Sequence, residues 1–397
     1  AISCCKIFCL VFAEKNKTKI NKINKIKIAT ANNLKIFPIR KSVQKNLNIF
    51  LYAIFMVSKK ELKKAHDYDF RKVFMPKNFV AVKGIDFSKF KNIKTMKRFL
   101  DCLKTSGFQA TNLGIAIDIA KKMRLETKII LTFTSNLVTS GLRDVITWLV
   151  KNKKVDGLCT TAGGIEEDIM KCFEPFVLGH FSADAKELYV RGLNRTGNIY
   201  VSDRAYIKFE KFLLKILERL YAKQKEKGVV ASSVELIKEM GKEIEKESKK
   251  YRESFVYWAC KNGIPVFCPS ILDGAIGDIV WFFKHKHKDF QLDVVEDLFL
   301  MNNMPIEAKE TGIIALGSGI ARHYVLNANI FSGGAKYAIF IDSENREWDG
   351  ATSNAKVNEA YTWGKIKLFK PFEKNSIQVF GDATIIFPLL VAGAFVD

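Results

Sequence analysis

The sequence runs to 397 residues, 48% of them hydrophobic, with 64 Lys and Arg against 42 Asp and Glu and a formal net charge of +22. That much apolar material excludes a chain disordered throughout and suits one large α/β domain or two smaller ones. The excess charge is not one basic surface: residues 1–55 carry eleven Lys and Arg and a single acid, Glu14, a net of +10, which leaves +12 spread among many acids. Such a distribution fits a basic enzyme better than a nucleic-acid groove, and no specific nucleic-acid partner is expected.

The chain opens with a short apolar stretch, Ile7 to Ala13, too brief for a signal-peptide core, and the run Glu14 to Asn48 is rich in Lys, Asn and Ile. It lacks the 3.6-residue apolar spacing of a core helix and reads as a basic, disordered extension over residues 1–57. Met56, just before "VSKKELKKAHDYDF", is an expected translation start. The longest uninterrupted apolar run, Ile49 to Val57, falls far short of the roughly 20 residues that span a bilayer, so no membrane partner is expected. The cysteines, Cys4, Cys5, Cys9, Cys102, Cys159, Cys172, Cys260 and Cys268, form no CxxC pair and no zinc spacing with histidine. Free thiols in a reducing cytoplasm, and no metal site, are the expectation.

From Ser58 onward, short apolar runs end in small, polar turns and pass into helical stretches. Lys128 to Phe133 leads through Thr134–Asn136 into a helix reaching Leu149. Val155 to Thr160 leads through Thr161–Gly164 into a helix whose first turn holds Glu166, Glu167 and Asp168. Asn198 to Lys261 is charged and helical in pattern, and reads as a peripheral helical insertion. Ile264 to Cys268 precedes Asp273–Asp278, and Ile313 to Leu316 precedes Gly317–Gly319 and a helix to Asn329. Tyr337 to Ile341 and Ile377 to Phe380 complete the series, the last entering Gly381–Thr384 and an apolar helix. Buried strands alternating with helices predict an α/β fold, a doubly wound, mostly parallel, Rossmann-like sheet forming one catalytic domain, 58–397. Ligands of such sheets bind beyond the carboxyl ends of the strands, where all these turns fall.

Gly317-Ser318-Gly319 after a strand has the start of a dinucleotide-binding turn, although Arg322 stands where a third glycine would be. An ordinary tight turn explains it equally well. The acids at the turns, Asp273, Asp278, Glu166 and Glu167, and Glu359 six residues before Lys365, are either dipole-stabilising caps or a site for a cation such as a polyamine. His323 lies on the helix after the glycine turn, four residues before Asn327, either as a structural imidazole or as a proton carrier. His285 and His287, in "KHKHK", read as solvated. A lysine such as Lys365 can attack a carbon electrophile only when neutral, which requires desolvation to bring its pKa down from about 10.4.

At "TSNLVTSGLRD", "TTAGGIEEDIMKC", "FCPSILDGAIGDIV", "NANIFSGGAKYAIFI" and "EAYTWGKI", five motifs in order, the sequence resembles the deoxyhypusine synthase family. The resemblance implies NAD-dependent oxidation of spermidine, an imine on an enzyme lysine, and transfer of the aminobutyl group to one lysine of the translation initiation factor 5A precursor. By position it implies that Lys365 forms the imine and that His323 assists proton removal. Glu167, Asp278, Asn327, Glu359 and Trp363 would bind the polyamine. NAD would lie against Asn136, Ser140, Thr161, Ala162, Gly163, Asp273, Gly317, Ser318, Gly319, Asp349, Asp382 and Ala383. A cytoplasmic homotetramer with shared active sites, and an N-terminal segment near Met56 to Phe70 able to cover the site entrance, are further implications.

There are departures from the family pattern. Ser318 takes the place of a glycine, Phe340 that of a tyrosine, Thr352 that of an acid in eukaryotic members, and the Ser343–Trp348 loop is one residue longer than the eukaryotic pattern. Rival readings are homospermidine synthase, which uses putrescine as acceptor, and a catalytically inactive regulatory paralogue.

Overall fold

The structure is a computed structural model that describes residues 96, 99–101, 103–343, 356–368 and 374–396. Each main strand alternates between two hydrophobic clusters, as a strand covered on both faces must. On β1 (Lys128–Phe133) Ile129, Leu131 and Phe133 enter one cluster and Ile130 the other. β7 (Thr311–Leu316) and β8 (Tyr337–Asp342) divide the same way, with Ile314, Leu316, Ile339 and Ile341 on the first face and Ile313, Ala315, Ala338 and Phe340 on the second.

In chain order, α1 (Phe108–Glu126) precedes β1, and α2 (Ser135–Thr139) and α3 (Leu142–Lys151) follow it. β2 (Gly157–Thr160) leads to α4 (Ala162–Phe173), then β3 (Val177–Leu178), α5 (Ala185–Val190), β4 (Leu193–Thr196) and β5 (Ile199–Ser202). Three helices come next: α6 (Asp203–Lys227), α7 (Ser233–Glu247) and α8 (Phe255–Asn262). β6 (Val266–Phe267), α9 (Ala275–Lys286) and α10 (Val294–Glu307) lead to β7, α11 (Ile320–Ile330) and β8. The described chain ends with α12 (Val357–Thr362), β9 (Ser376–Phe380) and α13 (Ala383–Ala394).

Six strands form one sheet in the order β6-β2-β1-β7-β8-β9, and all five pairings are parallel. Renumbered within that sheet, the order is 3-2-1-4-5-6, that of a Rossmann sheet. The expected doubly wound α/β architecture is therefore present. Its single reversal falls between β1 and β7, the position at which such sheets open a crevice for ligands.

Three features were not legible beforehand. The helix expected after the Thr134–Asn136 turn, reaching Leu149, is two helices, broken at Ser140–Gly141. β3, β5 and β4 form a small antiparallel sheet. The helical insertion also does more than line the surface: Phe209, Phe212, Leu213 and Ile216 of α6 are buried in the same cluster as β1. On α8, Phe255 meets Phe133 edge-on, with ring centroids 5.6 Å apart.

Candidate active site

The reversal point is closely packed. A Cβ at Gly317 would lie 3.2 Å from the Thr134 methyl, so the turns after β7 and β1 abut. Gly317 and Gly319 have φ of +78° and +84°, a region glycine reaches without steric cost, while the position of a Cβ at Gly319 is open. α4 and α2 approach as tightly, because a Cβ at Gly163 would sit 2.9 Å from that of Ser135. The N-cap residues of α2, α4 and α11, which are Thr134, Thr161 and Gly319, give no side-chain cap hydrogen bond. Three helix N-termini at one sheet edge, with a glycine turn between them, suit a dinucleotide's phosphates.

The remaining cofactor candidates have varied surroundings. Asn136 is exposed and its Oδ1 accepts from Thr134 Oγ1 at 2.5 Å. Ser140 Oγ donates to the Leu137 carbonyl at 2.6 Å and accepts from Leu142 N at 3.2 Å, holding the break between α2 and α3. Thr161 is the N-cap residue of α4 and is followed by buried Ala162. Asp273 is exposed in the turn after β6, and Ser318 is half-buried between the two glycines. Asp382 caps α13 by accepting from Thr384 N at 2.8 Å, with Ala383 buried behind it. Asp349 and Thr352 lie outside the described residues, as do Met56–Phe70.

Lys365 is 4% exposed. Its main chain is tied twice: its N–H donates to the Ala360 carbonyl at 3.0 Å and its own carbonyl accepts from Ala335 N at 2.9 Å. Lys367 N donates to the Ala335 carbonyl at 2.9 Å, completing a parallel bridge between Ile366 and Ala335 just before β8. The Lys365 Nζ stands 5.8 Å from the centroid of the Trp363 ring, which is 57% exposed. Burial holds this ammonium below the ordinary lysine value, with the Glu359 carboxylate on α12 pulling the other way.

His323 on α11 belongs to the same group. Burial, then the positive charges of Lys365 and Arg322, lower its pKa, and so favour the neutral imidazole. Asn327, one turn on, places Nδ2 3.3 Å from the imidazole Nδ1. Beneath them, fully buried Arg322 pairs with Asp342 at 2.7 Å and lies over the Phe340 ring, 4.8 Å from its centroid.

The three consecutive acids of α4 form a second group with separate tasks. Glu166 Oε1 accepts from Ile276 N at 2.7 Å, at the start of α9. Glu167 Oε2 accepts from Thr139 Oγ1 at 2.5 Å. Asp168 accepts from Arg143 Nε at 2.7 Å, from Ser254 Oγ at 2.5 Å and from Val256 N at 3.1 Å. It thereby joins α3, α4 and the start of α8. Burial raises the Glu166 carboxyl to about 7 and that of Glu167 to about 8. Asp278, on α9, acts on Glu166 through its charge, and its Oδ2 is buried without a hydrogen-bond partner among the described residues. Lys171 Nζ donates to the carbonyls of Val138, Thr139 and Ser140 at 2.6, 2.8 and 2.8 Å, anchoring the end of α2 that carries Thr139.

Lys365, His323, Asn327, Glu359 and Trp363 are thus brought together, and so are Glu166, Glu167 and Asp278, but no hydrogen bond or ion pair among the described residues joins the two groups. Thr139, Lys171 and Arg322 were missed as site residues. No local pattern marks them, because their partners are 20 to 33 residues distant. Among the described residues no group of three His, Cys, Asp or Glu is placed to hold a metal, and no helix is long and apolar enough to cross a membrane.

A Rossmann sheet that carries a buried lysine beside a histidine is an arrangement suited to nucleophilic group transfer. The deoxyhypusine synthase family profile matches residues 98–394. The chain is 40% identical over 332 residues to a "Probable deoxyhypusine synthase" of Pyrococcus furiosus, covering 80% of this chain and 97% of that one. It is 39% identical over 365 residues to the deoxyhypusine synthase of Kluyveromyces lactis, covering 81% and 93%. A crystal structure from Entamoeba histolytica carrying the same family name superposes with a TM-score of 0.55 at 28% identity, covering 79% and 96%. The chain belongs to the deoxyhypusine synthase family, and it is an aminobutyl transferase.

Proposed function

We propose that this enzyme oxidises spermidine with NAD, carries the aminobutyl group as an imine on Lys365, and delivers it to one lysine of the translation initiation factor 5A precursor. The observation that carries this reading is Lys365 itself, buried, with its ammonium disfavoured, beside His323 and behind the open face of Trp363.

The chemistry follows from these groups. Removing hydride from a carbon beside the secondary amine of spermidine requires loss of that nitrogen's proton, which His323 accepts in its neutral form. Gly317–Gly319 and the first turns of α2 and α4 would hold NAD, which would supply the hydride acceptor and later the donor. Lys365 Nζ then forms a carbon–nitrogen double bond to the aminobutyl carbon as the bond to 1,3-diaminopropane breaks. The acceptor lysine displaces Lys365 by the same exchange, and the returned hydride reduces the new imine. Splitting the transfer over two imines avoids direct displacement of an amine. Asp278, Glu359 and Glu167 bind the polyamine's charged nitrogens, with Asn327 and Trp363 alongside. The catalytic domain is 58–397, and it works in the cytoplasm as a homotetramer whose shared sites bring the two residue groups of neighbouring copies together.

The test offers labelled spermidine and NAD to the purified chain with either the factor 5A precursor or putrescine. Label on the protein acceptor is the expected outcome. Transfer to putrescine alone would make the chain a homospermidine synthase.

A further inference from the structure

We propose that Glu166 is a positioning residue of the polyamine site, a cap supplied from α4 that sets the first turn of α9 and thereby the place at which Asp278 presents its carboxylate. This rests on the reading of Asp278 as an amine ligand. α9 has no side-chain cap of its own, since the residue at its N-cap is Gly274. Glu166, 4% exposed, fills that role from 110 residues away, accepting the Ile276 N–H at 2.7 Å. An N-terminal turn leaves several N–H groups unpaired, and a carboxylate satisfies them with favourable charge.

Gly274 is the counterpart of this contact. A Cβ there would meet Glu166 Oε1 at 2.6 Å and Oε2 at 3.1 Å, so the carboxylate occupies the space a side chain would take. Asp278 hangs from the same turn, its N–H donating to the Gly274 carbonyl at 3.1 Å. Its buried Oδ2, lacking a hydrogen-bond partner, is the atom whose placement the cap controls. An acid that merely stabilised the helix would have no reason to favour one substrate constant over another.

The experiment uses the full chain with NAD, spermidine and the factor 5A precursor. Glu166→Gln keeps an oxygen at the right reach without the charge, and holds KM for spermidine within about twofold of the parent. Glu166→Asp keeps the charge but shortens the reach, and raises that KM about tenfold while kcat stays within about threefold. Gly274→Ala, which drives a methyl group against the same carboxylate, gives the same rise and repeats the test should Glu166→Asp not fold. A Gln variant as impaired as the Asp variant, or an Asp variant with unchanged KM, would overturn the proposal. Amide exchange at Ile276 separates the two layers of the argument, since it needs no substrate: Glu166→Asp accelerates it about tenfold. Unaltered exchange removes the cap. Absence of spermidine turnover by the unmodified chain removes the donor reading, and the role of Asp278 with it.

Discussion

Lys367 and Glu310 form an ion pair at 2.6 Å, whereas Lys365, two residues earlier, pairs with no carboxylate among the described residues. The two lysines would share a face in a regular strand, and their surroundings separate them instead. Borohydride reduction in the presence of spermidine and NAD should trap an adduct on the parent chain and on Lys367→Ala, and none on Lys365→Ala. Lys367→Ala should cost less than about 1 kcal/mol in a urea melt, the scale of a half-exposed pair.

Glu359 favours the ammonium form of Lys365 and so works against the burial that disfavours it. Glu359→Gln should therefore move the rising limb of adduct formation to lower pH, with spermidine saturating to offset weaker binding. Trapped adduct measured across a pH series checks this, and a limb displaced to higher pH contradicts it.

Glu166 and Glu167 titrate near 7 and 8, against an ordinary value of 4.5. Between pH 4.5 and those values the folded chain holds protons that the unfolded chain has released, so stability falls as pH rises through that window. Lys171 has the opposite sign: lowered from 10.5 to about 8 by burial, it makes stability rise between those values. A minimum near pH 8 is expected in urea midpoints, and Glu167→Gln should flatten the descending arm by an amount on the order of a few kcal/mol.

Asp168 ties Arg143 to the start of α8, and both partners of that ion pair are buried. Asp168→Ala leaves a buried guanidinium and uncapped N–H groups, and should destabilise the fold by about 3 kcal/mol or more. A denaturant midpoint unchanged from that of the parent would contradict this account.

The sheet was legible because strands covered on both faces need unbroken apolar runs, as Ile129–Leu131 and Tyr337–Ile341 are. β3, with two residues, and β4, "LNRT", carry too little pattern to be read as strands. Lys365 was singled out beforehand by the company of Trp363 and Glu359 and by the "WGK" motif. The tasks of Glu166, Glu167 and Asp168 were not, for three acids in a row look alike in sequence. They are told apart only by partners 110, 28 and 86 residues away.

The bridge between Ala335 and Ile366 is only two hydrogen bonds wide, Ala335 N to the Lys365 carbonyl and Lys367 N to the Ala335 carbonyl. Both bonds join main-chain atoms, so the backbone that carries Lys365 is held against the lead-in to β8 without recourse to side chains, and substitution of the neighbouring side chains leaves these two bonds available.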